Sequence, residues 1–151
     1  MIQSLQQSVQ SVIDGGRIGS PVFLRCIVHA PIEAAETVGG IASLTAIANG
    51  WMPDPLEEVY ALDNADGTQI TAMVKYAGGQ SALLSVNRLP AGGEVTVDLR
   101  LVGNNGIIYH ETPTGPYRLM NEPLGFSGGE DLVDTIHQGL ETKQPISVTE
   151  G

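Results

Sequence analysis

Cysteine occurs once in the 151 residues, at Cys26. A single thiol excludes an internal disulfide and fits a reducing compartment. Cations are scarce: seven Lys and Arg stand against seventeen Asp and Glu, a formal charge of -10. That balance repels phosphate backbones and anionic headgroups, so neither nucleic acid nor a membrane surface is expected as a partner. No apolar run approaches the roughly 18 residues of a membrane span. Residues 1–11 lack both the basic stretch and the uninterrupted apolar core of a secretion signal, which leads to a cytoplasmic expectation. The three histidines, His29, His110 and His137, have no H-x-H or H-x-x-x-H spacing, so no metal centre is expected. A G-x-G-x-x-G turn between a strand and a helix is also missing.

What is present is one domain's worth of globular chain, 42% hydrophobic and 16% charged. It is too short for a dinucleotide-binding domain plus a substrate domain, each of which normally takes roughly 100 to 200 residues. Ile2, Leu5, Val9, Val12 and Ile13 recur at three and four before Gly15-Gly16 and predict an amphipathic helix. A β-branched, apolar run over 22–29, stopped by Pro31, predicts a strand. Gly39-Gly40 leads into a short second helix over 41–48, with Asn49-Gly50 as its C-terminal cap. From Leu56 the period changes to two. Strands are expected over 56–62, 68–76, 80–88, 94–102 and 107–111, joined by hairpin-length linkers rich in Gly, Asn and Asp. Linkers that short imply antiparallel neighbours. Residues 112–129 read as an ordered loop, 130–138 as a helix stopped by Gly139, and 144–151 as an extended tail. The expected fold class is α+β: a mostly antiparallel, open-faced sheet of about six strands with two or three helices on one face.

The order of these pieces resembles a known family. Val12-Ile13-Asp14-Gly15-Gly16-Arg17-Ile18-Gly19-Ser20-Pro21-Val22 is similar to the passage that opens the second domain of the Gfo/Idh/MocA oxidoreductases, the family of glucose-fructose oxidoreductase and inositol dehydrogenase. Gly39-Gly40 resembles the glycine pair before that domain's helix, and Leu56-Glu57-Glu58-Val59-Tyr60-Ala61 its following strand. Gly103-Asn104-Asn105-Gly106-Ile107-Ile108 resembles its hairpin. Its close is matched by Asp131-Leu132-Val133-Asp134-Thr135-Ile136-His137-Gln138-Gly139 with Pro145-Ile146-Ser147-Val148. The resemblance covers nearly the whole chain and implies the same open-faced sheet.

The family's catalytic parts are not matched. Members begin with a Rossmann domain that holds the nicotinamide site and a catalytic Lys; the chain reads as the second domain without it, so no cofactor is expected here. The family's helix pattern D-x-x-x-H-x-x-D supplies a His acid/base for hydride transfer. Counted from Gly39-Gly40, those places fall at Leu44, Ala48 and Trp51, none of which can carry a proton.

Other residues admit chemistry more weakly. Cys26 shares parity with Val22, Leu24 and Val28, which makes it a core thiol rather than a nucleophile. Glu57-Glu58 on a strand point to opposite faces, and Glu130-Asp131 in a first helical turn meet the helix dipole. Gly125-Phe126-Ser127-Gly128-Gly129 reads as loop and cap rather than as a phosphate cradle. Trp51 either plugs the core edge or stacks on a sugar ring. Candidate ligand contacts are therefore His29, Trp51 and Arg25.

The two strand parities differ. One, from Val22 and Leu24 through Val74, Leu84 and Val95 to Leu101, is apolar and must face the helices. The other mixes Phe23, Ile27, Met73 and Leu83 with Arg25, Lys75 and Arg100, three of the seven cations. That mixture fits either a solvated face or an interface with a polar rim. The resemblance, to oxidoreductases that associate through this sheet, implies the interface, with a homodimer or a dimer of dimers as the expected assembly. The functional expectation is a stand-alone, non-catalytic oxidoreductase-family domain for oligomerisation or ligand binding. The alternative is the substrate-binding subunit of a split NAD(P)-dependent oxidoreductase acting on a sugar or polyol, with a separate Rossmann subunit.

Overall fold

The computed structural model describes residues 2–111 and 125–148. Helix α1 (Ile2–Asp14) buries Ile2 and Val9, as the spacing of its apolar residues requires. Gly16 and Gly19, with φ of 74° and 71°, turn the chain into β1 (Pro21–Ala30). Helix α2 (Ala34–Trp51) comes next, then β2 (Leu56–Asp63), β3 (Gln69–Tyr76), β4 (Ser81–Arg88), β5 (Thr96–Gly103) and β6 (Gly106–Glu111). A 3-10 turn at Glu130–Leu132 leads into α3 (Val133–Thr142), and β7 (Ile146–Ser147) pairs with β2.

The seven strands form one sheet in the order β6-β5-β1-β4-β3-β2-β7. Only β1 and β4 run parallel; every other pair is antiparallel. The expected mostly antiparallel α+β sheet is therefore what forms, with one short extra strand drawn from the tail. The hairpin expected across 90–93 does not form, because β1 sits between β4 and β5 and hydrogen-bonds to both. A linker's length limits how far the chain travels, not which strand occupies the gap.

Helix α2 is far longer than the predicted 41–48. It is buried at nearly every position from Gly40 to Ala48, so no amphipathic stripe marks its ends. The glycine pair lies inside it. Gly in a helix costs about 1 kcal/mol relative to Ala, but a Cβ on Gly40 would stand 2.8 Å from the Phe126 ring, so packing requires it. Asn49-Gly50 is not the cap. Asn49 Oδ1 instead accepts a hydrogen bond from the Tyr76 hydroxyl at 2.8 Å. The helix stops because Met52 precedes Pro53 and is held extended, with φ -81° and ψ 142°. Gly139 likewise lies within α3, close to Ala61 of β2, and the terminator is Lys143 at φ 53°.

The predicted apolar parity packs against the helices: Leu24, Cys26, Val28, Val74, Leu84, Val86, Leu99 and Leu101 are all buried. Two members depart from it. Val22 is exposed because the β1–β5 register shifts between Pro21 and Phe23, and Val95 lies before β5 and is half-buried. Of the predicted loop, residues 112–124 lie outside the described residues, as do 149–151 of the tail.

Candidate functional site

Alternate residues of β6, β5, β1, β4, β3 and β2 point away from the helices, and strand register sorts them into rows. One row reads Tyr109, Arg100, Arg25, Leu83, Met73, Tyr60. Its neighbours read Ile107, Val102, Phe23, Ser81, Lys75, Glu58 and Glu111, Asp98, Ile27, Ser85, Thr71, Leu62. All seven residues expected at an interface, Phe23, Arg25, Ile27, Met73, Lys75, Leu83 and Arg100, thus share one surface. Large apolar side chains stand open on it: Met73 and Leu62 are each 40% exposed, Tyr109 55% and Ile107 63%.

Charge on this face is organised. Arg25 Nη1 lies 3.9 Å from Asp98 Oδ2, and Lys75 Nζ lies 3.7 Å from Glu58 Oε2. The Arg100 guanidinium sits 5.4 Å from the Tyr109 ring centroid, within cation–π range. The Tyr109 hydroxyl donates to Glu111 Oε2 at 3.0 Å, and that bond raises its pKa by favouring the protonated phenol. Asp98 Oδ1 is buried with no hydrogen-bond partner among the described residues. A cleft of about 290 Å³ opens there, lined by Arg25, Ile27, His29, Thr96, Asp98 and Glu111. Two of the three candidate ligand contacts, Arg25 and His29, therefore meet in one place.

Trp51 does not join them. It ends α2 on the opposite side of the sheet, is 5% exposed, and lines a small apolar void beneath α1 with Ile2, Leu5 and Leu44. As a ligand contact it is corrected to a core plug, because α1 covers it. Cys26 faces the same core, and burial, with a smaller push from Asp98, raises its thiol to about 12. Sequence reasoning missed Tyr60, Leu62, Ile107 and Tyr109 on the open face. On β2 and β6 both parities carry apolar residues, so only pairing with Met73, Thr71, Val102 and Arg100 assigns them. Among the described residues, no group of three His, Cys, Asp or Glu is placed to hold a metal, and no helix is long and apolar enough to cross a membrane.

The glycine-rich segment 125–129 serves packing. Phe126 lies against Gly40, and Ser43 Oγ donates to the Gly128 carbonyl at 2.9 Å. Gly129, at φ 80°, leaves no room for a Cβ beside the Ala42 carbonyl. The chain then enters a three-residue 3-10 turn rather than the first turn of an α-helix.

No family model matches the sequence, and no curated protein matches it significantly. Solved structures do. Myo-inositol dehydrogenase from Corynebacterium glutamicum superposes with a TM-score of 0.69 at 12% identity, covering 97% of this chain and 62% of the other. Scyllo-inositol dehydrogenase from Lactobacillus casei gives 0.66 at 12% identity, over 94% and 60%. Myo-inositol 2-dehydrogenase from Lactobacillus plantarum gives 0.64 at 15% identity, over 95% and 61%. The chain has the Gfo/Idh/MocA-type C-terminal fold. It spans about three fifths of the length of these structures. The positions counted for the family's acid/base pattern, Leu44, Ala48 and Trp51, are buried in α2 at 3%, 0% and 5% exposure. None has a titratable group.

Proposed function

We propose that this Gfo/Idh/MocA-type domain is an association module, which covers its open sheet face with a second copy of the chain and performs no hydride transfer of its own. The observation that carries this reading is the face itself, where Met73, Leu62, Ile107 and Tyr109 stand open among Arg25, Lys75 and Arg100 and Glu58, Asp98 and Glu111. Three cations against three acids leave the face near neutral on a chain of formal charge -10. Two copies repel least when these faces meet, and a two-fold arrangement lets acid meet base across them. Six strands at about 4.8 Å spacing and eight residues at about 3.3 Å make a face of roughly 760 Å². That is of the order of the roughly 800 Å² per partner found in stable interfaces. At about 25 cal/mol per Å², its apolar part contributes several kcal/mol before the cost of association.

Light scattering on the full chain at tens of micromolar tests the reading. A dimer or dimer of dimers is expected, with Ile27→Asp or Met73→Lys shifting the mass toward monomer while the circular dichroism of the helix-side core is kept. A monomeric parent chain, or two variants with unchanged mass, overturns it.

A second reading draws on the likeness to inositol dehydrogenases that extend well beyond the matched region. In it the domain supplies substrate contacts to a sugar or polyol oxidoreductase whose NAD(P) site lies on a separate Rossmann subunit. Coexpression with a Rossmann-only chain decides between them: dehydrogenase activity that needs both chains favours the second reading.

A further inference from the structure

Asn-Gly occurs twice in the chain, at Asn49-Gly50 and at Asn105-Gly106, and the fold treats the two pairs oppositely. An asparagine before glycine is chemically labile, because a residue without a Cβ leaves its backbone nitrogen open to attack the neighbouring side-chain amide. Asn49 and Gly50 lie inside α2, where each backbone N–H is committed to a carbonyl four residues back. The Asn49 side chain is held as well, its Oδ1 accepting from the Tyr76 hydroxyl at 2.8 Å. Neither reacting group is free to move there. Asn105 stands exposed in the turn between β5 and β6. Strand β6 lies at one margin of the sheet, and Gly106, its first residue, pairs with Gly103 at the last rung of the ladder. Opening that rung releases the Gly106 nitrogen without disturbing the core. The main chain of the turn is anchored elsewhere. The Asn104 N–H donates to the Ser20 carbonyl at 3.0 Å, the Asn105 N–H donates to the Ile18 carbonyl at 2.9 Å, and Asn104 Oδ1 accepts from the Ser20 N–H at 3.0 Å. These bonds fix the Asn104 side chain and leave the Asn105 side chain without a hydrogen bond among the described residues.

We propose that Asn105 is a site of spontaneous deamidation and isoaspartate formation, selected over Asn49 by its place in the fold. The Gly106 nitrogen gives its proton to hydroxide and attacks Asn105 Cγ. A C–N bond forms and closes a cyclic succinimide, the Cγ–Nδ2 bond breaks, and the side-chain nitrogen takes a proton from water and leaves as ammonia. Water then adds to a ring carbonyl. Opening on one side yields aspartate, and opening on the other yields isoaspartate, whose main chain runs through Cβ and Cγ. Nothing is oxidised or reduced, and water and hydroxide are the only co-reactants. Either product adds a negative charge to a chain of formal charge -10. Isoaspartate also inserts an extra carbon into the main chain, and the turn has no slack to absorb it. A Cβ on Gly103 would run into the Ile18 carbonyl, and one on Gly106 would lie 3.2 Å from the Arg17 carbonyl. The modification therefore loosens the β5–β6 hairpin from the turn that joins α1 to β1. This chemistry does not rest on how the open face associates.

Peptide mapping of the full chain by mass spectrometry tests it, after incubation at a mildly alkaline pH at which the chain stays folded, with a urea-unfolded sample alongside. In the native sample Asn105 is expected to gain one mass unit at least about tenfold faster than Asn49, with isoaspartate resolved from aspartate by electron-transfer fragmentation. In urea, where the fold no longer separates them, the two sites are expected to react within about threefold of each other. The aged parent chain is expected to melt about 3 °C below the fresh one. An aged Asn105→Gln chain is expected to keep its melting temperature, because the longer side chain closes the corresponding ring far more slowly. The proposal is overturned by an intact native Asn105 once Asn49 has converted in urea, or by equal native rates at the two sites. An aged parent with an unchanged melting temperature, or an aged Asn105→Gln chain that loses as much as the parent, overturns it too.

Discussion

Arg25 and Arg100 stand directly opposite each other across the antiparallel β1–β5 ladder, both on the open face. Like charges paired in this way are unfavourable. Each has its own relief: Arg25 leans toward Asp98 at 3.9 Å, and Arg100 lies over Tyr109. The arrangement costs the isolated domain something and leaves two guanidinium groups facing outward. Arg100→Glu should therefore stabilise the isolated domain by roughly 0.5 kcal/mol, by giving Arg25 an opposite charge within one chain. The same change should weaken association, because it removes a cation from the near-neutral face. Urea denaturation of a monomeric Ile27→Asp background, with and without Arg100→Glu, measures the first effect. A destabilised double variant would show that the opposed arginines are not repulsive in place.

The glycines of 125–129 should respond unequally to alanine. Gly128 and Gly129 both have left-handed φ, 85° and 80°. A Cβ at Gly128 meets nothing, so Gly128→Ala should cost about 1 kcal/mol of backbone strain. At Gly129 the same atom runs into the Ala42 carbonyl and the Ser43 amide of α2, so Gly129→Ala should cost more than about 2 kcal/mol. Thermal denaturation of the two variants checks the difference, and equal losses would contradict the tight docking of this segment on α2.

Alkaline pH should unfold the domain through groups that cannot ionise in place. Burial lifts Cys26 from an ordinary value of 9.0 to about 12, and burial also raises the Tyr76 phenol. The native state therefore holds these protons longer than the unfolded chain. The penalty begins at the unfolded pKa, near 9 for the thiol, and grows by about 1.4 kcal/mol per pH unit until the folded value near 12. Cys26→Ala should remove the thiol's share of this slope between pH 9 and 12, although it lowers stability at neutral pH by opening a small cavity. An identical slope in parent and variant would place Cys26 in solvent. The thiol should also resist alkylation in the native state.

The helix-facing parity of β1, β3, β4 and β5 is legible in the sequence because period-two alternation survives wherever one sheet face is buried. Leu24, Val74, Leu84 and Leu99 lie where it puts them. The position of β1 between β4 and β5 is not legible, since pairing partners far apart in sequence leave no local trace. Helix α2 escapes a sequence reading at both ends for one reason. Burial on all sides erases its stripe, so Gly39-Gly40 and Asn49-Gly50 pass for boundaries while a ring contact and a tyrosine hydrogen bond are their real roles. On the open face, Arg25 and His29 can be placed together from parity alone. Tyr60, Leu62, Ile107 and Tyr109 need the register of β2 and β6.

Met73 reports most directly on whether the open face is covered. It is 40% exposed in the single chain, whereas Met52 is buried at 7%. Thioether oxidation by dilute peroxide tracks solvent access and is read by mass spectrometry. At tens of micromolar the account predicts that Met73 oxidises nearly as slowly as Met52, and that dilution or Ile27→Asp releases it to a several-fold faster rate. Rapid oxidation of Met73 in the concentrated parent chain, unchanged by dilution or by Ile27→Asp, would contradict the association of these domains through their sheets.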